Sequence, residues 1–540
     1  MTIAKLALDQ AGRVVVIDDQ TGTLSGAPHI AAQAYDSTYQ ALWVDTGAVN
    51  ATADHYNNGL RFTTVGALRI YDATAGLPAT TNTHLGMAMT TDGQVCVTSG
   101  ASTAPYVLNG VAMTNDGRVY VDILSFALEF ADLGAGVVST VEAIGGATPT
   151  FTRATTATTV LSTGLIGAVA SGDPRSYYDP TSLTYLGYLA EGARTNLGLS
   201  SEDLRSAAAG NPVTEWTNTD TTVTVAGTTA PDGANTGNLI TEGSAGTAVV
   251  LNSFTGTADV SYATARFMKI GNTNWVFMDI SETAAVANGI RVWFNLSTGV
   301  VGTVTNAGTA TGGAGRIKAY PNGWYRCEVS GTVGNAATGI STRSFSASAD
   351  NSTTRVANAT RYEWGAQIEN NVSFASSYIP TTTLAVARNA DVLTYPTTGW
   401  YSDTQGTAFA EFQANWTTTA ASQFVLARDG NGRFFYNAGT AATSVSNFDG
   451  TTAGASNTTS TYGFSTARAA TAYSDSTKIT SLSGGIGSTS AFDGGMGLGD
   501  LAVGCGNNGG NVWFGPIRRV EYYANRMPNA VLQALTNGAR

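Results

Sequence analysis

Trp275-Val276-Phe277-Met278-Asp279-Ile280 and Arg291-Val292-Trp293-Phe294-Asn295-Leu296 read as alternating β-strands, and they decide the fold. Val223-Thr224-Val225 precedes them and Trp324-Tyr325-Arg326-Cys327-Glu328-Val329 follows, with Gly, Asn and Thr turns between. Strands at short intervals separated by such turns predict an antiparallel β-sandwich, here over residues 196–392. The same grammar returns in residues 405–540, in Ala408-Phe409-Ala410-Glu411-Phe412, Phe424-Val425-Leu426-Ala427, Phe434-Phe435-Tyr436 and Val520-Glu521-Tyr522-Tyr523. A second sandwich is expected there. Met527-Pro528-Asn529-Ala530-Val531-Leu532-Gln533-Ala534-Leu535 closes the chain, and Pro near a helix start with Val531, Leu532 and Leu535 spaced behind it predicts one short amphipathic helix.

Upstream lies a repeat. Leu6-Ala7-Leu8-Asp9 with Gly12-Arg13-Val14-Val15-Val16, and Gly59-Leu60-Arg61-Phe62 with Gly66-Ala67-Leu68-Arg69-Ile70, give its first two copies. Gly86 to Val97, around Asp92-Gly93, and Gly110 to Val121, around Asp116-Gly117, repeat it. Short apolar runs flanking Asp-Gly signal hairpins, because Gly accepts the positive φ of a tight reversal. A lone hairpin is marginal in water and needs neighbours, so residues 1–125 are expected to form an anchoring and trimerisation region of intertwined copies docked on a larger assembly. Residues 126–195, with X-Pro steps at Asp173-Pro174 and Asp179-Pro180, read as a stiff connector with little core of its own. The expected class is therefore all-β: N-terminal β-hairpin repeats, two antiparallel β-sandwich (jelly-roll) domains and one short C-terminal helix.

Composition narrows the function. The 540 residues carry 63 Gly, only 12% charged residues and a net charge of -11, against about a quarter charged in an average soluble chain. Lys5, Lys269, Lys318 and Lys478 are the only lysines, which leaves no basic stripe to neutralise phosphates, so neither nucleic acid nor insertion into a membrane is expected. No apolar run suits a cleaved signal peptide or a membrane span. His29, His55 and His84 are the only histidines, so from residue 85 onward there is no Ser-His-Asp triad and no His-ligated zinc. Glycosidase chemistry on two carboxylates passes that filter. Cys96, Cys327 and Cys505 form no CxxC pair and are expected as buried small hydrophobes. Asp429-Gly430-Asn431-Gly432-Arg433 lacks the spaced oxygen ligands of a calcium loop and reads as a hairpin turn. No metal and no cofactor are expected.

A string of motifs carries a resemblance. Phe151-Thr152-Arg153-Ala154-Thr155, Tyr177-Tyr178-Asp179-Pro180, Glu191-Gly192-Ala193-Arg194-Thr195-Asn196-Leu197, Gly323-Trp324-Tyr325-Arg326-Cys327, Trp364-Gly365-Ala366-Gln367-Ile368-Glu369, Ser377-Tyr378-Ile379-Pro380-Thr381-Thr382 and Arg388-Asn389-Ala390-Asp391 resemble a module of tailed-bacteriophage appendages, the tail fibres and head spikes. Residues 405–540, most clearly Trp513 to Tyr523, resemble a concanavalin A/laminin G-like sandwich, and the middle sandwich resembles carbohydrate-binding jelly rolls. The resemblance implies a homotrimer on a virion surface, assembled in the host cytoplasm and joined to other virion proteins through residues 1–125, with a host-surface glycan as ligand. A fold by itself names no ligand.

A sugar site needs an aromatic face for the ring and amide or charged groups for the hydroxyls. Trp275 and Trp293 sit in alternating strands, and the two-residue period puts Arg291 on the face of Trp293. Tyr362 and Trp364 form another cluster, and the Gly-rich stretch from Gly504 to Asn511 offers Asn507, Asn508 and Asn511 at a sandwich edge. Each has a plainer reading: the aromatics suit a sandwich core, and the Gly-rich stretch suits an ordinary loop. No carboxylate pair stands out in a motif. The sequence thus predicts a structural, non-enzymatic phage protein exposing lectin-like domains, with a ligand-free decoration spike or a glycan depolymerase as alternatives.

Overall fold

In a computed structural model of the chain, the described residues are eleven strand segments between residues 4 and 121 and most of 124–537. Omitted within the latter are 141–147, 245–248, 258, 284–286, 335–338, 418–420, 429–431, 440, 458–461, 475, 494, 498 and 507. The chain is nearly all β. In the N-terminal region all four repeat copies pair as antiparallel hairpins: Ala4–Leu8 with Val14–Asp18, Leu60–Phe62 with Leu68–Ile70, Leu85–Met89 with Val95–Ser99, and Val111–Met113 with Val119–Val121. The Asp429 to Asn431 part of the expected turn lies outside the described residues, and Cys96 lies in the strand Val95–Ser99, opposite Ala88. Cys327 and Cys505 are buried free thiols.

The middle sandwich consists of two six-stranded antiparallel sheets. One runs in the order Trp216–Thr219, Val249–Thr255, Gly339–Ala347, Trp275–Glu282, Gly289–Asn295, Val300–Ala307. The other runs Thr221–Thr228, Gly237–Glu242, Thr360–Asn370, Ser261–Ile270, Trp324–Thr332, Thr311–Tyr320. Alternation decides what each strand buries. Val276, Met278 and Ile280 from one strand and Ile290, Val292 and Phe294 from the next meet Cys327 and Val329 of the opposite sheet in one core. Toward the other end the space between the sheets holds ions instead, with Arg266 and Arg361 both paired to Glu363, and Arg361 also to Glu242, all fully buried. Charges withdrawn from water are tolerated when paired and hydrogen-bonded, and Ser344 Oγ donates to Glu363 at 2.6 Å.

The second sandwich corrects the connector reading of residues 126–195. Leu124–Glu129 and Tyr185–Ala190 both pair with Gly515–Tyr523, and Thr150–Thr152 pairs with Val392–Tyr395, which in turn pairs with Leu501–Val503. Phe126, Leu128, Phe130, Val138 and Tyr188 belong to the same apolar core as Phe412, Trp416, Trp513 and Tyr522. The X-Pro steps mark turns within this domain, as X-Pro also permits. Gly187 lies in the bulged strand at φ +109, and a Cβ there would sit 2.2 Å from the Ile517 carbonyl oxygen, so this close approach requires glycine. The C-terminal helix spans Asn529–Thr536 behind Pro528, and Leu532 and Leu535 pack on Phe409 and Ile479.

Candidate functional site

The motif residues converge on one buried network at the junction of the two sandwiches. Arg153, just after Thr150–Thr152, donates to Asp391 Oδ1 at 2.8 Å; Arg175 donates to the other oxygen of Asp391 and, at 2.9 Å, to Glu191. Arg388 donates to Glu191 at 2.7 Å, and Glu191 also accepts from Ser377 N–H and Oγ at 2.8 and 2.6 Å. Asn196 Nδ2 donates to the carbonyls of Ala366 and Ile379, and Gln367 Oε1 accepts from Ile379 N–H. Trp364 packs on Tyr378 with ring centroids 4.7 Å apart. Burial alone would push the Glu191 carboxyl up, but Arg388, Arg175 and the Ser377 donors bring it down to about 2. Burial likewise opposes charge on Arg175, yet Asp391 and Glu191 hold its pKa above the ordinary arginine value. The residues that carry the resemblance therefore work as a clasp. The cavity beside them, lined by Glu191, Tyr177 and Arg326, encloses about 30 Å³, room for about one water.

A larger opening lies outward from the clasp. Arg194 begins the strand Arg194–Asn196, which is paired with Val386–Arg388, and lays its guanidinium 4.2 Å from the Phe514 ring centre and 6.0 Å from that of Phe374. The two Phe rings meet edge to face at 5.3 Å. Glu369, fully buried, lies 3.7 Å from Arg194 Nε, and the Arg194 side chain keeps 19% of its surface open. Burial lowers its pKa while Glu369 and Glu191 oppose that; it stays a cation at neutral pH. Around this floor the middle sandwich contributes Asn371 and Ser373, and the second sandwich contributes Ser422, Gln423 and Asn511, to a cleft of about 570 Å³. Its charged lining among the described residues is Arg194 and Asp259. Gly192 lets the chain pass the floor, since a Cβ there would lie 2.8 Å from Phe514 Cζ. An aromatic and cationic floor with neutral amide and hydroxyl walls, in a volume usual for small-ligand sites, is suited to a polyhydroxyl ligand.

The sequence candidates divide. Asn511, exposed and at φ +50, stands on the rim of this cleft. Asn508 is exposed but its Oδ1 accepts from Gly510 N–H at 3.0 Å, holding the turn; Asn507 lies outside the described residues. Trp364 is 1% exposed and packs with Phe267, Trp324 and Tyr378 beneath residues 160–189, with Tyr362 half-buried beside it, so the ring-stacking role expected of Trp364 is corrected to packing. Trp275, Arg291 and Trp293 share the outer face of the first sheet, as the period predicts. Trp293, however, is 2% exposed and donates from Nε1 to the Ser352 carbonyl at 2.8 Å, so it offers no open platform; Trp275 and Arg291 remain half-buried. Arg194, Phe374, Phe514, Asn371 and Gln423 line the cleft but are not among the site candidates that the sequence offers. They come together only through the packing of the two domains, and no spacing signals that.

No family model and no curated protein matches the chain. Among solved structures it is similar to Trypanosoma rangeli sialidase in complex with sialic acid, at TM-score 0.22 and 9% identity, covering 85% of this chain and 72% of that one. It is also similar to that sialidase with the inhibitor DANA, at TM-score 0.23 and 10% identity over 84% and 68% of the two chains, and to its covalent intermediate with 2,3-difluorosialic acid, at 0.22 and 10% over 92% and 81%. All three are structures of one sialidase, and the expectation of a non-enzyme is not carried further. At these TM-scores the likeness carries no reaction, substrate or site to this chain.

Proposed function

We propose that the chain is a surface protein of a bacteriophage particle, a homotrimeric fibre or spike that holds host-surface glycans in the cleft between its two sandwiches. The cleft itself carries the reading: a guanidinium stacked on Phe514, beside Phe374, under walls of Asn371, Ser373, Gln423 and Asn511. The clasp supports it, because Arg153, Arg175, Glu191, Arg388 and Asp391 fix the two domains against each other and so pre-form the opening. Residues 1–125 would supply the anchor and the threefold association. Three clefts on one fibre convert a weak single contact into useful avidity when they engage together.

A glycan array probed with the full chain and with its Arg194→Gln variant tests this. The parent is expected to retain a small set of neutral or weakly charged oligosaccharides and the variant to lose at least about tenfold in affinity, the scale of a lost charge-assisted hydrogen bond plus its stacking. Equal retention by both proteins would remove the cleft from the account.

A further inference from the structure

A second opening lies wholly within the middle sandwich, away from the cleft. In the edge strand Thr221–Thr228 the pairing with Gly237–Glu242 slips between Thr224 and Thr228, so residues 225–227 bulge out opposite Asn238. Val225 and Ala226 of that bulge form one wall of a pocket of about 440 Å³, a volume usual for small-ligand sites, and Pro212, Thr236, Ser200 and Glu202 stand around it. Ala226 at φ +57 and Ser200 at φ +50 both hold left-handed backbone, which costs a non-glycine residue free energy.

The pocket holds a carboxylate without a cation. Glu202 is half-buried, and its Oε1 accepts from the Tyr378 hydroxyl at 3.1 Å, whose oxygen is in turn 2.7 Å from Ser201 Oγ. Its Oε2 has no hydrogen-bond partner among the described residues. Burial pushes this carboxyl up, the Tyr378 donor opposes that, and the neighbouring Asp232 adds to the rise; no guanidinium or ammonium among the described residues acts on it. Asp203, the other carboxylate of the lining, is already matched, since Arg205 donates to its Oδ1 from Nε at 2.9 Å and to its Oδ2 from Nη2 at 2.7 Å. Arg205 Nη1 turns to the Ala209 carbonyl at 3.1 Å, and Asp232 accepts from Ala234 N–H at 2.9 Å in its own turn. An unpaired carboxylate partly withdrawn from water is costly, and a cation entering the pocket relieves it. Ser200, only 5% exposed, also lines the pocket, and its hydroxyl has no partner among the described residues. Thr236 Oγ1 accepts from Trp364 Nε1 at 2.9 Å, which leaves its hydroxyl proton to donate.

We propose that this pocket binds an amino sugar, its ammonium paired with Glu202 Oε2, one face of the ring against Val225 and Pro212, and its hydroxyls on Ser200 and Thr236. Charge selects the ammonium, because the unmatched group is negative and the lining contains no cation. A bare metal ion needs several oxygen ligands around it, and no group of three or more His, Cys, Asp or Glu side chains that could hold one occurs among the described residues. The apolar wall suits a ring rather than a small ion. The proposal rests on the reading of the chain as a glycan-contacting protein but not on the cleft, which is built from other residues.

Calorimetric titration of the full chain at neutral pH with cellobiose, chitobiose and fully deacetylated chitobiose isolates the ammonium, because the three differ only in carrying a hydroxyl, an acetamide or an amine at carbon 2. Cyclohexylamine supplies an ammonium and an apolar ring without the sugar hydroxyls. Expected is binding of deacetylated chitobiose at least tenfold tighter than of the other three. Glu202→Gln, which keeps an acceptor for Tyr378, should lose at least tenfold. Val225→Trp, at an exposed position of the bulge, should fill the pocket and abolish binding, and it keeps the test decisive if the Gln variant folds poorly. Arg194→Gln should leave amino-sugar binding unchanged while weakening the cleft ligand, so failure of one site is told from failure of the other. No binding of deacetylated chitobiose, equal or tighter binding of either neutral sugar or of cyclohexylamine, or unchanged affinity in folded Glu202→Gln or Val225→Trp would overturn the assignment.

Discussion

Asp391→Ala should destabilise the chain by about 3–5 kcal/mol, the range for removing one partner of a buried ion pair. Asp391 is fully buried and accepts from Arg153, Arg175 and the Glu191 N–H. Without it two guanidinium groups stay in the junction, away from water and short of an acceptor. The remaining carboxylate, Glu191, already accepts from Arg175, Arg388 and Ser377 and cannot replace it. Urea unfolding followed by tryptophan fluorescence measures the loss; a change under about 1 kcal/mol would mean that the clasp is an ordinary polar patch. Acid should act in the same direction. Glu191 titrates near 2 in the folded chain against an ordinary 4.5, so the unfolded chain binds the proton more readily. Its contribution is present above about pH 4.5 and is lost as pH falls toward 2.

The second large effect concerns the stretch first read as a connector. A fragment of residues 405–540 should fail to fold alone, whereas 124–540 should fold. Cutting at 405 removes Phe126, Leu128, Phe130, Val138 and Tyr188 from the core. At roughly 1.5–3 kcal/mol for each buried large apolar side chain, that is about 10 kcal/mol, as much as the whole net stability of a typical domain. It also exposes the edge of Gly515–Tyr523 that Leu124–Glu129 and Tyr185–Ala190 pair with, a template for aggregation. Circular dichroism and size-exclusion chromatography of the two fragments decide it. A cooperatively melting, monomeric 405–540 would restore the connector reading.

What the sequence disclosed follows from the range of each signal. Alternation and turn residues are local, so the strands of Trp275–Glu282 and Gly289–Asn295, the Asp-Gly hairpins and the helix behind Pro528 were all legible. Pairing partners are not local. Nothing in Leu124–Glu129 says that it lies against Gly515–Tyr523, nearly four hundred residues on, and so the expected bound at 405 leaves part of the second domain out. For the site, the period correctly put Arg291 and Trp293 on one face, but it could not show that a loop through Ser352 covers Trp293. Arg194 and Phe514 stood in quoted motifs without being chosen, because their meeting at 4.2 Å depends on how two domains dock. The motifs themselves were conspicuous for a structural reason: they clasp the two domains.

Hydrogen-exchange mass spectrometry of the full chain, with and without a neutral oligosaccharide retained on the array, shows whether the cleft is where the sugar sits. Slowed exchange is expected only in segments 192–195, 371–374, 421–424 and 509–514, the walls and floor of the cleft. Protection confined to other segments, such as 275–282 and 289–295 on the outer sheet face, would contradict it.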